Sequence, residues 1–216
     1  MRYGVLGTGM VGRALASALV ADGAEVRMGA RQQGNEMALD WAAGAGKRAS
    51  TGDFASAAAY GEIVINATAG SGSLAALRAA GLALDGKVLI DVANPIAPDS
   101  GFPPALSIVN TDSLGELIQR EFPAARVVKT LNTVNAEVMV QPTLVPGDHT
   151  IFVCGNDADA KGTVVDMLAG FGWPTGAVVD LGDITAARGA EMYLALWLRM
   201  MQATGSARFN IKLVTG

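Results

Sequence analysis

The chain has 216 residues, 50% of them hydrophobic and 17% charged, with a formal net charge of −4. That composition excludes a disordered segment and predicts one compact core with room for a small appendage. No Lys/Arg run supplies the clustered cationic face that nucleic acid needs, and the single cysteine, Cys154, excludes an internal disulfide and fits a reducing cytoplasm.

Residues 3–6 read as a short apolar strand, followed by a glycine turn and a helix over 10–21 that Asp22-Gly23 ends. Residues 25–29 are a second strand, and 35–43 a helix closed by Gly44-Ala45-Gly46. A brief third strand spans 47–50 and a short Ala-rich helix 53–60. Ile63-Val64-Ile65 is a buried strand by its β-branched run. A helix over 73–80 ends at Gly81, and Val88-Leu89-Ile90-Asp91-Val92 is another buried strand stopped by Asn94-Pro95. After the Pro/Gly/Ser-rich loop 96–104 come a helix near 113–122 and strands over 126–131 and 150–154. A helix over 158–169, a strand over 177–181 and a helix over 185–204 complete the chain.

Two apolar stretches mimic membrane signals. Gly7, Gly9, Gly12 and Arg13 break the first, and 192–198 is far short of the about 20 residues a spanning helix needs, so no membrane partner is expected. Strands alternating with helices predict a Rossmann-type, doubly wound, mainly parallel α/β sheet. Residues 1–180 are expected to form a dinucleotide-binding domain, and 181–216 a C-terminal helical segment packed on it.

Gly7-Thr8-Gly9-Met10-Val11-Gly12 is a GxGxxG set between a predicted strand and a predicted helix, the context that gives the pattern meaning. Gly7 permits the tight turn, Gly9 lets the backbone approach a diphosphate, and Gly12 lets helix and strand pack closely. Free N–H groups of the first helical turn then face the phosphates. NAD-selective forms of this site end the second strand in an acid that bonds the ribose 2′-hydroxyl. Here the stretch is Arg27-Met28-Gly29-Ala30-Arg31, without a carboxylate. Arg31 suits the dianionic 2′-phosphate, so NADP(H) is the expected cofactor.

Carbonyl and alcohol chemistry needs a proton donor beside the hydride. The only histidine, His149, falls in the turn-like Pro146-Gly147-Asp148-His149 and reads as a surface residue. No tyrosine is followed four residues later by lysine, and the C-terminal helix offers Glu191, Tyr193 and Arg199 but no lysine. Cys154 reads as inert core, and no His/Cys cluster suggests a metal. No residue is assigned a catalytic role. A dinucleotide site without a proton donor points to hydride exchange between two rings held about 3–3.5 Å apart.

Along nearly its whole length the chain resembles the NADPH-dependent reductases of coenzyme F420, a deazaflavin. The resemblance is carried by Gly7-Thr8-Gly9 through Gly12, Gly29-Ala30-Arg31, Val127-Val128-Lys129-Thr130-Leu131-Asn132-Thr133, Phe152-Val153-Cys154-Gly155-Asn156-Asp157 and Arg208-Phe209-Asn210-Ile211-Lys212. The middle segments are also similar to the cytoplasmic oxidoreductase domain of the STEAP metalloreductases, which pairs NADPH with a flavin. The resemblance implies a nicotinamide at Ala67-Thr68-Ala69-Gly70 and Ala93-Asn94-Pro95, with the deazaflavin stacked near Asn132, Val134 and Ala136. Asn132 and Asn135 replace the His and Pro of the deazaflavin reductases, and Asn132 is closer to the flavin-using relatives.

Met192, Leu196, Met200 and Ala203 form a stripe expected to be core or a homodimer seam. Arg199, Arg208 and Lys212 are candidates for meeting a deazaflavin's anionic tail. The expected function is hydride transfer between NADPH and coenzyme F420. The alternatives are FMN or FAD as acceptor, an imine or carbonyl reductase, and a non-catalytic NADPH-sensing module.

Overall fold

The computed structural model describes residues 1–216. Its first half runs β1 (Arg2–Leu6), α1 (Met10–Ala21), β2 (Glu25–Ala30), α2 (Glu36–Ala45), β3 (Ala49–Asp53), α3 (Phe54–Tyr60), β4 (Ile63–Asn66) and α4 (Gly70–Ala80). The second half runs β5 (Val88–Asp91), α5 (Leu114–Glu121), β6 (Arg126–Thr130), α6 (Ala136–Val140), β7 (Ile151–Gly155), α7 (Ala158–Gly170), β8 (Val178–Asp180) and α8 (Ala187–Thr204). All eight strands join one sheet in the order β3-β2-β1-β4-β5-β6-β7-β8. Every neighbouring pair is parallel except β6 with β7. The first six strands therefore have the doubly wound order 3-2-1-4-5-6, and β7 and β8 extend it in the opposite direction.

Alternation along the strands divides the apolar residues between two cores, one on each side of the sheet. Ile63, Ile65, Ile90 and Val128 pack with Leu15, Leu19, Trp41 and Val164 on one side. Val64, Leu89 and Val127 pack with Leu77, Leu114, Ile118 and Ile184 on the other. Helices α1 and α4 thus leave the sheet on opposite faces, and the chain reverses its winding between β1 and β4.

Local chemistry sets the helix starts. The sequence places Asn35, Asp53 and Ser113 inside helices. Each instead stands just ahead of one, its side chain accepting the N–H of Ala38 (3.1 Å), Ser56 (2.7 Å) and Glu116 (3.1 Å). These are side-chain N-caps. Helix α4 begins three residues before the expected start, and α6, five residues long and capped by Asn135, is too short to show a helical period in sequence.

One expectation is narrowed, the α8 stripe to a role other than core, and one fails, at His149. The buried face of α8 is Ala187, Ala190, Glu191, Leu194 and Leu198, not the stripe through Met192 and Leu196, whose Leu196 is 56% exposed. That stripe is therefore not core. His149 is not a surface residue: it lies two residues before β7, 9% exposed, edge-on to Trp173 with ring centroids 5.0 Å apart. After Gly205 the tail folds back onto this segment, where Thr150 N–H donates to the Ile211 carbonyl at 2.8 Å and Asn210 Nδ2 lies 3.0 Å from His149 Nδ1. The turn signal of Pro146-Gly147 holds for the exposed residues before His149 and stops there. No helix is long and apolar enough to cross a membrane.

Candidate active site

At the winding reversal, the carboxyl ends of β1, β4, β5 and β6 open into a cleft of about 720 Å³. In doubly wound sheets this crevice is where ligands bind. On one side is the start of α1. Its N-cap, Gly9, offers no side chain, and the first backbone bond of the helix is Arg13 N–H to the Gly9 carbonyl, 3.0 Å. The N–H groups of Met10, Val11 and Gly12 precede that bond and have no intrahelical partner.

Three glycines hold this turn for three different reasons. Gly7 has φ +121°, and a Cβ there would strike the Ala67 carbonyl. A Cβ on Gly12 would strike the Gly7 carbonyl oxygen. A Cβ on Gly9 would meet nothing within 4 Å, so that glycine keeps space clear above the helix start rather than resolving a clash. Thr8 is half-buried beside it.

Arg31 follows Ala30, the buried last residue of β2, and is exposed. Its side chain joins none of the molecule's ion pairs. Ala30 pairs in register with Asp53, whose carboxylate is turned onto the α3 start. Two Ser56 hydrogen bonds, the backbone N–H first and the hydroxyl second, hold the Asp53 carboxyl below the usual carboxylate range. The rim therefore presents a free guanidinium, with the nearest strand-end acid committed elsewhere.

Met10, Val11, Ala67, Thr68, Ala69, Gly70, Asn94, Asn132, Val134 and Ala136 all line the cleft. Pro95 does not. It is buried and anchors the following loop, its carbonyl accepting Ser107 N–H (2.8 Å) and Oγ–H (3.0 Å). Gly70 has a packing reason to be small, because a Cβ there would strike the Asn94 carbonyl. The Thr68 hydroxyl donates to Asn66 Oδ1 at 2.7 Å. Asn94 and Asn132 bind one another: Asn132 Nδ2 to Asn94 Oδ1 at 2.9 Å, and Asn94 Nδ2 to the Asn132 carbonyl at 2.8 Å. Leu131, at φ +62° and 1% exposed, makes the turn that presents Asn132 to Asn94.

The opposite wall is the loop after Pro95 together with Leu194, Trp197 and Leu198 of α8. Asp99 is the one ionisable residue among all the lining residues. Arg199, Arg208 and Lys212 are not among them, and Arg208 is paired with Glu137 at 2.6 Å. Cys154 is buried, and burial pushes its thiol up to about 12, in keeping with inert core. No cluster of three His, Cys, Asp or Glu side chains is disposed to hold a metal.

One constellation escapes the sequence reading. Asn66, Asp91 and Lys129 stand in register on one face of β4, β5 and β6. Lys129 Nζ lies 2.7 Å from Asp91 Oδ2 and 2.8 Å from Glu191 Oε1, all three essentially without solvent exposure. It also donates to the Ala93 carbonyl. Burial opposes the ammonium charge, but the two carboxylates outweigh it and hold the Lys129 pKa above its ordinary value. Glu191 accepts the Leu114 and Gly115 N–H groups at the start of α5 as well, at 2.8 and 3.0 Å. The available signal was a lone base and a lone acid, each inside an apolar strand. The lysine sought near Glu191 on its own helix comes instead from β6.

The protein from Arthrobacter sp. FB24 described as a "putative f420 dependent nadp-reductase" is 48% identical, with a TM-score of 0.92 over 99% of both chains. The chain belongs to the coenzyme F420-dependent NADP oxidoreductase family. The family's description, "NADP oxidoreductase coenzyme F420-dependent", matches residues 2–95. Metalloreductase STEAP3 of Rattus norvegicus is 28% identical over 93% of this chain and 37% of its own length. The F420-dependent NADP reductase of Methanocaldococcus jannaschii is 29% identical over 51% of this chain and 50% of its own length. The chain thus matches half or less of the length of these two curated relatives. An imine reductase from Streptomyces aurantiacus, 18% identical, shares the fold with a TM-score of 0.66 over 94% of this chain and 64% of that one.

Proposed function

We propose that the protein transfers hydride between NADP(H) and a second ring cofactor, coenzyme F420 in the first place, with FMN or FAD as the alternative acceptor. The observation that carries this reading is the open start of α1 together with the unpaired Arg31 just past β2, whose carboxyl end bears no acid. The space kept clear at Gly9 fits a diphosphate against the N–H groups of Met10, Val11 and Gly12. Arg31 reads the 2′-phosphate, and Ala30 brings the backbone beneath the adenosine ribose.

When bound, the nicotinamide supplies or takes the hydride. The chain's part is to orient and to exclude water. Ala67, Thr68, Ala69, Gly70 and Asn94 form a small-residue floor, fixed from below by Pro95. Asn132, Val134 and Ala136 form the corner against which the acceptor ring lies. Asn132 Nδ2 donates to Asn94 Oδ1 and Asn94 Nδ2 to the Asn132 backbone carbonyl, so the two residues act as one fixed surface. A cleft without a paired acid and base suits ring-to-ring transfer, which needs geometry more than proton movement.

The same proposal includes a homodimer seam on the outer face of α8 around Leu196, and a cytoplasmic setting in keeping with one unpaired cysteine. A second reading, reduction of a small imine or carbonyl, draws on Asp99 as the cleft's one ionisable side chain. NADPH oxidation assayed in parallel with coenzyme F420, FMN, FAD and a cyclic imine separates these readings. The expected result is fastest turnover with coenzyme F420. Turnover of FMN without deazaflavin reduction overturns the acceptor choice. Turnover of the imine alone, lost in Asp99→Asn, favours the second reading, and tight NADPH binding without any turnover favours a sensing module.

A further inference from the structure

Two bonded rungs join the same three elements beneath the cleft. The deeper rung runs from Asp91 at the end of β5, through Lys129 on β6, to Glu191 on α8. The shallower rung lies three residues further along both strands: Asn94 bonds Asn132, and Asn132 Nδ2 donates to the Ala190 carbonyl of α8 at 2.9 Å. Lys129 also reaches the carbonyl of Ala93, itself a cleft-lining residue. Leu194 and Leu198, three and seven residues beyond Glu191, carry the same helix face into the cleft.

An ammonium has three N–H donors. Asp91, Glu191 and the Ala93 carbonyl take all three, so Lys129 has no proton direction left over for chemistry. A buried ion cluster adds little stability over well-packed apolar side chains of similar volume. What it does supply is a single permitted arrangement of the elements it ties. The floor on β4 and β5 and the wall on α8 belong to different elements, so their separation is only as well defined as the bonds between them. A displacement of about 1 Å costs about a hundredfold in rate for a reaction that needs its atoms about 3–3.5 Å apart.

We propose that Lys129 is a positioning residue, clamping the strand end under the nicotinamide to the helix that walls the acceptor, and so fixing the gap that hydride crosses. This rests on the reading of the cleft as a two-ring hydride-transfer site. The test uses the full chain as Glu191→Gln and Lys129→Met, with Val164→Ala in the far-side core on α7 as a control. Glu191→Gln keeps the Lys129–Asp91 pair and carries the test should Lys129→Met fail to fold.

In Glu191→Gln, the NADPH dissociation constant measured by calorimetry stays within about twofold. Meanwhile kcat falls about ten- to a hundredfold, with whichever of coenzyme F420, FMN and FAD the wild type reduces fastest. The primary isotope effect from NADPH deuterated at the transferred position rises. In the ligand-free protein, amide hydrogen exchange speeds up together at 91–95 and 190–198. Val164→Ala lowers Tm without moving kcat, the isotope effect or exchange at those segments. Unchanged kcat and isotope effect in Glu191→Gln, or faster exchange in only one of the two segments, overturns the clamp. If the wild type oxidises NADPH with no acceptor, the functional reading fails separately, and the exchange pattern alone decides whether the clamp exists.

Discussion

A methyl group added at Gly9 enters open space, whereas one added at Gly12 meets the Gly7 carbonyl. The two substitutions should therefore separate binding from folding. Gly9→Ala should leave Tm nearly unchanged and raise the NADPH dissociation constant about tenfold, a loss of about 1.4 kcal/mol. Gly12→Ala should cost about 1–3 kcal/mol of stability, read as a lower urea midpoint. A larger Tm loss for Gly9→Ala than for Gly12→Ala contradicts the assignment. Arg31 sets a second contrast. Charge-assisted hydrogen bonds contribute about 1.5–3 kcal/mol, so Arg31→Ala should weaken NADPH about 10- to 150-fold and NADH hardly at all. Equal weakening of both by calorimetry removes the 2′-phosphate role. At this scale the sequence was informative wherever a motif has fixed spacing, as at Gly7, Gly9 and Gly12. It was uninformative where partners come from distant elements. Nothing near Lys129 in the chain announces Glu191, and nothing near His149 announces that Asn210 and Trp173 will bury it.

Among the elements, α5 has a start held by charged side chains from α8. Glu191 caps its first N–H groups from α8, while Ser113 and Glu116 close a reciprocal cap. The Arg188 fork on Glu116 lowers that carboxyl's pKa, and so, less strongly, does the Ser113 hydroxyl. A carboxylate whose folded pKa is lowered contributes stability that is present above its unfolded value, about 4.3. That stability is lost as pH falls through the folded value. Glu116→Gln should therefore lower the urea midpoint at pH 7 and flatten its decline below about pH 4.5, where wild type and variant converge. Parallel pH profiles for the two proteins contradict this. The helices with clear caps and periods were legible in the sequence. The starts of α2, α3 and α5 were misplaced by one residue each because Asn, Asp and Ser serve equally as first residue or cap. The antiparallel β6–β7 pairing was not legible, since two apolar strands carry no record of direction. Which face of α8 is core was not legible, because Met192 and Leu196 are as apolar as Leu194 and Leu198, and only packing chooses between the faces.

For the whole molecule, Cys154 offers a measure of cooperative opening. It is 1% exposed on the strand next to Lys129, and burial pushes its thiol up to about 12. The thiolate is the reactive form, so alkylation should require the sheet to open. The raised pKa also means that stability is complete below the unfolded thiol's value, about 8.5, and declines as pH rises from there toward about 12. A ligand that binds only the folded chain adds about 2.7 kcal/mol at a hundredfold excess over its dissociation constant. NADP⁺ at that excess should slow Cys154 alkylation about a hundredfold, and NAD⁺ at the same concentration much less. Labelling at the free-thiol rate in native buffer contradicts the burial. The doubly wound order was legible at this scale because alternating strand and helix leaves few alternatives. The tail's return onto the residues before β7 was not, because it depends on single hydrogen bonds to Thr150.

That return brings Phe209 flat against Trp197, 5.3 Å between centroids and 24° apart. Trp197 stands on the cleft wall, while Trp41 and Trp173 lie in the core on the other side of the sheet. One indole in three therefore shares its surroundings with an incoming ring. With Trp41 and Trp173 replaced by phenylalanine, the remaining emission becomes a direct optical titration of acceptor entry, independent of turnover.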